Sequence, residues 1–242
     1  MRKIYFNPMP ALSAILVIGV AILIALGIWQ YQRLQWKTAL LSEVEASVTA
    51  PPLSSLAELE QALTDGGPVD FRRIGFAAFK VEAGPAFHLY KSQTGGIAWD
   101  VVEPLQEAGL TILAKTKTLS NVDKDKTRVI ESTSQQTFTG YVRKVYPMGT
   151  VENWVKSKAN TKTNRYFHFN QTSDWYDAVR RPNIQGYYID LEEAASASDL
   201  PILRPDIRNN HLDYMLTWWS FALIFIIIYL ILHKRAGRLK FS

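Results

Sequence analysis

Residues 209–218 carry the side chains best suited to bind a ligand, at the start of an uncharged C-terminal segment. Asn210 is a natural N-cap for a helix, and Asp213 follows it at the spacing of a capping box. His211 then falls in the first helical turn, where the positive end of the helix dipole favours a neutral imidazole. A neutral imidazole is a competent iron ligand.

Tyr214, Met215 and Trp218 follow His211 by three, four and seven residues, a spacing that predicts one shared helix face. An apolar, aromatic face beneath a single His could accept a flat porphyrin. The same pattern also fits an interfacial hydrogen-bonding His beside an aromatic belt at a membrane surface. Periodicity alone favours this simpler interpretation.

A second group of candidates lies near the N-terminus, where Trp29, Arg33 and either Trp36 or Lys37 recur at helical intervals. Arg33 and Lys37 could bind two carboxylates, such as haem propionates, through charge-assisted hydrogen bonds. Ordinary anchoring of a helix by Trp and Arg explains the same spacing and is favoured when this group is taken alone. Just before it, Ala21 and Ala25 form a small-xxx-small pair that could let two helices touch.

Motifs for other chemistries are absent from the sequence. It has no GxSxG, P-loop, dinucleotide-binding glycine pattern or HExxH, and no Cys for disulfides or thiolate metal sites. His88 and His168 lie in strand-like segments beside aromatic residues and are interpreted as structural. We therefore expect no catalytic residues and no enzymatic activity.

Two uncharged segments of 19 residues, 11–29 and 214–232, are each about 28 Å long as helices, which is enough to cross a bilayer core. Trp and Tyr residues border both at the predicted outer end. A cleaved signal peptide is the alternative for the first segment, because a basic start precedes a cleavable-looking Ala25-Leu26-Gly27 stretch. The length of the apolar segment favours a retained helix.

The charges are distributed unevenly along the chain. All 22 acidic residues lie between residues 43 and 213, and the 21 basic residues between residues 33 and 213 nearly balance them, so the net charge of +5 comes from the two ends. A nucleic-acid partner is therefore not expected. Four basic residues after residue 232 place both termini on the cytoplasmic side, or on the matrix side of a mitochondrion.

The middle of the chain reads as a β-rich α+β domain, a small barrel or sandwich. A capping box at Ser55–Glu58 predicts a short helix to about Leu63, after Pro51-Pro52 ends a long first helix. Turns are predicted at Gly95-Gly96 and Glu107–Gly109, and one or two helical turns at Ser173–Val179. The predicted strands are Arg72–Val81, Ala86–Lys91, Ala98–Pro104, Leu110–Lys117, Thr137–Val145, Arg165–Asn170 and Gly186–Leu191, with charged loops at Leu119–Ser134 and Lys156–Thr163.

Six segments follow from these patterns. Two are the cytoplasmic termini, residues 1–10 and the basic 233–242. The others are transmembrane helix 11–29, helical extension 30–50, periplasmic or intermembrane-space β-rich domain 51–213, and transmembrane helix 214–232.

At the ends of both membrane segments the sequence resembles the Surfeit locus protein one family of cytochrome c oxidase assembly factors. Residues 27–40, with Gly-Ile-Trp-Gln, then Arg33 and Trp36-Lys37, are similar to that family's Gly-x-Trp-Gln…Arg…Trp-Lys pattern. Residues 209–218 are similar to its Asn-Asn-His-Leu-x-Tyr-Ala-x-Thr-Trp pattern. Weaker matches are residues 71–79, 139–143 and 186–190, whereas residues 113–117 replace the family's Arg-Gly-Trp-Val-Pro, as in a divergent member.

The resemblance implies an assembly factor for a haem-copper terminal oxidase that binds haem a and assists its insertion into the catalytic subunit. It implies His211 as the axial iron ligand, with Tyr214, Trp218 and Trp29 near the ring and Arg33 and Lys37 near the propionates. The implied partners are cytochrome c oxidase subunits and membrane lipid, in a bacterial inner membrane rather than a mitochondrial one. The alternative is a permanent accessory subunit of a respiratory complex without a cofactor; a two-span sensor is disfavoured because no cytoplasmic output domain is present.

Overall fold

The computed structural model describes residues 4–81, 84–85, 87–93, 96–120, 128–129, 134–145, 166–168 and 183–241. The chain divides into two units: a helical unit, Met1–Ser42 with Asp206–Ser242, and a barrel unit, Glu43–Pro205. The predicted helical turns at Ser173–Val179 and the charged loop at Lys156–Thr163 lie outside the described residues.

The described elements follow one another along the chain in this order: β1 (Ile4–Phe6), α1 (Pro10–Thr49), α2 (Leu56–Thr64), β2 (Arg73–Lys80), β3 (Gly84–Pro85), β4 (Phe87–Gln93), β5 (Gly96–Glu107), β6 (Leu110–Ser120), β7 (Arg128–Val129), β8 (Gln136–Lys144), β9 (Tyr166–His168), β10 (Tyr187–Leu191), α3 (His211–Arg235) and β11 (Leu239–Phe241).

Helices α1 and α3 are both long and apolar enough to cross a membrane. Only 6% and 17% of their apolar stretches are buried, so these helices are unlike the covered core helix of a soluble protein. Large apolar side chains instead cover their exposed surfaces, as hydrocarbon contact requires. The predicted class is confirmed: a membrane protein with two transmembrane helices that flank a β-rich domain.

Within the helical unit, α1 and α3 approach closely at two glycines. A Cβ at Gly27 would overlap the indole of Trp219, and a Cβ at Gly19 would overlap the ring of Phe225. Small residues at such positions let two helices in a membrane gain packing contacts. The predicted small pair, Ala21 and Ala25, is exposed instead.

Three of the four buried residues of α3 recur every seven residues, at Met215, Ala222 and Tyr229, and the fourth, His233, follows four residues later. On α1 the less exposed residues also follow alternating steps of four and three, at positions 12, 16, 19, 23, 26 and 30. This spacing is typical of the contact faces of two α-helices that wind around each other in a left-handed supercoil. The inner face of α1 is therefore defined by this series, and Gly19 belongs to it.

A buried histidine joins the two helices near the chain termini. Nε2 of His233 accepts a hydrogen bond from the backbone N–H of Met9 at 3.1 Å, and Nδ1 lies 2.9 Å from the carbonyl oxygen of Tyr229. Because one nitrogen must accept and the other must donate, the ring is neutral with its proton on Nδ1. A 2.5 Å hydrogen bond between Ser13 Oγ and Tyr229 Oη adds a second link, and β1 pairs antiparallel with β11.

The sheet of the barrel unit closes on itself. Strands follow the order β2-β8-β10-β6-β5, and β2 pairs again with β5 through Phe79 and Lys80, which completes a five-stranded barrel. Within the barrel all neighbouring strands are antiparallel except β10 and β6. The first half of β5 extends past the barrel, where β4 pairs with it and β9 pairs with β4. A short separate pair, β3 with β7, was not predicted.

The barrel interior and one of its openings are filled by apolar side chains. Helix α2 contributes Leu56 and Leu59, both fully buried, and its first N–H donates to Glu107 at the end of β5. A carboxylate at a helix N-terminus is favoured by the helix dipole. The core comprises Leu53, Leu56, Leu59, Val69, Ile74, Phe76, Ala78, Leu105, Ile112, Ala114, Val142, Ile184 and Ile189.

Local sequence patterns predicted most helices, strands and turns of the barrel unit correctly. The Ser55 side chain accepts the Glu58 N–H at 3.1 Å, as a capping box predicts, although the Glu58 carboxylate binds Ser54 rather than Ser55. Ala108 and Gly109 have φ of 48° and 87°, which is the conformation of a two-residue hairpin turn. Of the other predicted turn, Gly95 lies outside the described residues.

An ion pair fixes the segment between β10 and α3. The guanidinium of Arg204 donates to both carboxylate oxygens of Glu45, at 2.8 and 2.9 Å. This hydrogen bonding lowers the pKa of Glu45 and raises that of Arg204, although both side chains are exposed. The bidentate geometry restricts the relative orientation of the two side chains more than a single hydrogen bond would.

We expect Gly27→Leu to destabilise the helical unit, because the new side chain would occupy the space of the Trp219 indole. Overpacking of this kind costs about 1–3 kcal/mol. Thermal unfolding of the full chain in detergent would measure the change. Ala25→Leu, at an exposed position of the same helix, is the matched control, and an equal shift in both variants would contradict this packing.

We also expect the barrel to lose stability in alkali. Burial raises the pKa of the Tyr188 hydroxyl, an effect that the positive charge of Arg143 only partly opposes. A pKa raised by folding stabilises the protein below the unfolded value, about 10, and this stability is lost as pH rises above it.

Unfolding temperatures between pH 8 and 12 test this expectation. Tyr188→Phe should flatten the decline above pH 10, whereas Tyr187→Phe, at the half-buried neighbouring position, should not. Parallel declines in the wild type and Tyr188→Phe would refute the assignment.

Candidate functional site

The candidate site is centred on His211, the first residue of α3. Asn210 occupies the N-cap position, but its side chain makes no capping hydrogen bond. The imidazole is instead bound from the other helix: its Nδ1 lies 2.7 Å from Oε1 of Gln30 on α1. Two residues 181 positions apart in the chain thus form one polar pair within the helical unit.

The partner of His211 defines its protonation pattern. A carboxamide oxygen can only accept a hydrogen bond, so Nδ1 of the imidazole carries the proton. When the ring is neutral, its lone pair is therefore on Nε2. The bond made by one ring nitrogen commonly decides which nitrogen of a histidine binds a metal, and here that nitrogen is Nε2.

Gln30 itself is an unusual residue for its position. Its side chain is only 9% exposed and belongs to the inner face of α1, among otherwise apolar positions. Burial of an amide is unfavourable unless it is hydrogen-bonded, which the bond to His211 provides. Gln30 therefore depends on His211 as much as His211 depends on Gln30.

The other predicted residues of α3 divide between two faces. Trp218 is half-buried, and the nitrogen of its indole is buried without a hydrogen-bond partner. Its ring packs edge-on against Phe221, with ring centroids 6.2 Å apart. Tyr214 is 54% exposed, whereas its neighbour Met215 is buried. The structure therefore places Trp218 toward the interior of the unit and Tyr214 on the outer surface of α3.

The predicted residues of α1 also differ in their surroundings. Trp29 is 51% exposed. Arg33 is exposed, and its guanidinium lies 4.7 Å from the centre of the Trp36 ring in a cation–π contact. Lys37 is half-buried and follows Gln30 by seven residues, so the two share a face of α1. Of the two cations, Lys37 lies on the side of α1 that carries Gln30.

The donor set limits the kind of metal that this site could hold. Among the described residues, no group of three or more His, Asp or Glu side chains could hold a metal ion. A bare ion such as zinc needs three or four protein ligands, whereas haem iron takes its equatorial ligands from the porphyrin and needs one or two from the protein. A lone imidazole with a free lone pair fits the second case.

Two contributors to this site were missed as functional residues. Sequence patterns indicate Gln30 and Gly27 only as members of one motif, and not as a hydrogen-bond partner and a position of close packing against Trp219. Both could have been found from the sequence of α1, because an amide and a glycine interrupt the apolar seam within one helical turn.

Comparison with known proteins agrees with this architecture. Residues 17–223 match the SURF1 family, a stretch that includes Gln30, the barrel unit and His211. A SURF1-like protein of Rickettsia conorii is 28% identical over 231 residues, which cover 88% of this chain and 88% of that protein. A SURF1-like protein of Rickettsia felis is 26% identical over 239 residues, or 92% of this chain and 96% of that protein.

The match extends over most of the chain, and the low identities agree with the departures noted at residues 113–117. The chain therefore belongs to the SURF1 family, which is associated with cytochrome oxidase assembly.

Proposed function

We propose that this protein is an assembly factor for a haem-copper terminal oxidase that binds haem a and assists its insertion into the catalytic subunit. The observation that carries the proposal is the Gln30–His211 hydrogen bond, which engages Nδ1 and leaves Nε2 of the imidazole for a metal at the start of α3. The choice of an oxidase as the partner rests on membership of the SURF1 family, which is associated with cytochrome oxidase assembly.

Different residues of the chain would bind different parts of the haem. His211 would hold the iron through Nε2. Lys37 and Arg33 would bind the propionates, and Trp218, Tyr214 and Trp29 would contact the porphyrin. When bound, haem a supplies redox chemistry to the oxidase, not to this protein, so no bond-making residue is required here and the protein is not an enzyme.

The basic chain ends support an orientation with both termini in the cytoplasm. The barrel unit then lies in the periplasm of a bacterial inner membrane, where it offers a surface to oxidase subunits. Haem handed over at the outer ends of α1 and α3 would not need to cross the membrane centre. The bacterial relatives agree with this location.

A permanent accessory subunit without a cofactor is the second candidate. The Gln30–His211 hydrogen bond favours it in one respect, because the bond would also serve as a purely structural link between two membrane helices. The two candidates differ in whether Nε2 of His211 ever binds iron.

The test is the absorption spectrum of the full chain, purified in detergent from cells that make haem a. We expect a Soret band, and we expect His211→Ala to lower haem occupancy by more than about tenfold, since even loss of an outer-shell partner costs 10–100-fold in metal affinity. His88→Ala and His168→Ala are the controls and should retain the band. Haem-free protein that copurifies in fixed proportion with oxidase subunits would instead establish the accessory subunit.

The propionate assignment has its own test. We expect Lys37→Ala and Arg33→Ala to weaken binding of haem several-fold, but to leave binding of its dimethyl ester unchanged, because the ester has no carboxylates. Titration of each variant with both compounds, followed by absorbance, measures the difference. Equal weakening for both compounds would show that these side chains do not bind the propionates.

A further inference from the structure

Gln30 has no packing reason to be an amide. It occupies the inner face of α1, in the four-and-three series whose other members up to that point are four Leu residues and Gly19. An apolar side chain of similar size would fill the position without the cost of burying a carboxamide. What the amide adds is one oxygen, and that oxygen lies 2.7 Å from Nδ1 of His211.

We infer that Gln30 is a positioning residue that orients His211 through Nδ1–H, leaves Nε2 for the iron and, because its carboxamide carries no charge, allows the iron to be released. The inference rests on the proposed haem function and deepens it. It concerns Gln30 alone, because His211 is assigned above.

The first part of the inference follows from hydrogen-bond geometry. A bond from Nδ1–H to Gln30 selects one of two tautomers and limits rotation of the ring. Without the acceptor, the proton could move to Nε2 and block the nitrogen that would bind iron. Gly27 supports the arrangement from one turn away, because the absence of a side chain there lets α3 come close enough for the bond to form.

The second part follows from the charge of the acceptor. Histidines that hold a metal permanently often donate to a carboxylate, which raises the basicity of the ring and strengthens its bond to the metal. A carboxamide is neutral and does so less. A cofactor that must be handed on needs a ligand that orients it and then lets go, which suits Gln rather than Glu at this position.

Two variants separate these effects. Gln30→Leu removes the acceptor, whereas Gln30→Glu keeps an acceptor and adds a negative charge. Gln32→Glu is the matched control, because Gln32 lies two residues further along α1, is exposed, and receives the same charge.

The first measurement needs no haem. The full chain labelled with ¹⁵N-histidine in detergent gives the protonation of each ring nitrogen by NMR, and His211→Ala identifies the signals of His211. We expect Nδ1 protonated and Nε2 unprotonated in the wild type and in Gln32→Glu, and a second tautomer in Gln30→Leu. A wild-type ring with its proton on Nε2 would overturn the inference.

The second measurement uses haem-loaded protein. The midpoint potential is recorded, and haem release is followed by transfer to excess apomyoglobin. We expect Gln30→Glu to shift the potential to more negative values and to slow release about tenfold, the lower end of what outer-shell changes do to metal affinity. Gln32→Glu should match the wild type. If Gln30→Glu behaves as Gln32→Glu does, the inference is wrong while the haem function stands.

Failure of the proposed function gives a different pattern. In that case neither the wild type nor any variant binds haem in the second measurement. The tautomer result of the first measurement then still decides whether Gln30 positions His211.

Discussion

Close packing of α1 against α3 is the constraint on which the candidate site depends. Gly19 and Gly27 lack side chains where Phe225 and Trp219 pack, so the two helices approach more closely than larger residues would allow. In hydrocarbon there is no hydrophobic gain from pairing two apolar helices, and the gain must come from such contacts and from polar links. The hydrogen bonds of His211 and His233 are those links, one toward each end of the pair.

The two histidines illustrate how one ring can be structural or functional. Both donate from Nδ1 to an oxygen, a side-chain amide for His211 and a backbone carbonyl for His233. His233 is fully buried and its Nε2 accepts the N–H of Met9, so both nitrogens are occupied by the fold. In His211 the fold occupies Nδ1, and the tautomer leaves a lone pair on Nε2. The two histidines therefore differ in whether the fold engages Nε2, as it does in His233.

Much of the fold could be predicted from sequence because its signals are local. Period-two patterns and turn residues located the strands of the barrel, and Ser55 and Pro51 marked where α2 begins and α1 ends. Closure of the barrel could not be predicted, because pairing of β2 with β8 and of β10 with β6 joins segments far apart in the chain. The amide of Gln30 stands out in the apolar sequence of α1, but its role could not be predicted, because its partner lies 181 residues away. The predicted ligand residues stay predictions. Trp218 and Lys37 lie on the less exposed faces of their helices, whereas Tyr214 and Trp29 lie on the exposed faces.

The separation of Gln30 from His211 also sets an order of events during synthesis. At roughly 5–20 residues per second, a ribosome needs roughly 10–40 s to pass from one to the other. Throughout that time α1 lacks its partner, and the face that carries Gly19, Gly27 and Gln30 is uncovered. A truncated product that lacks α3 has neither the hydrogen-bond partner of Gln30 nor the side chains that pack against the two glycines. The site is thus assembled last, and only by a chain that has been made through to α3.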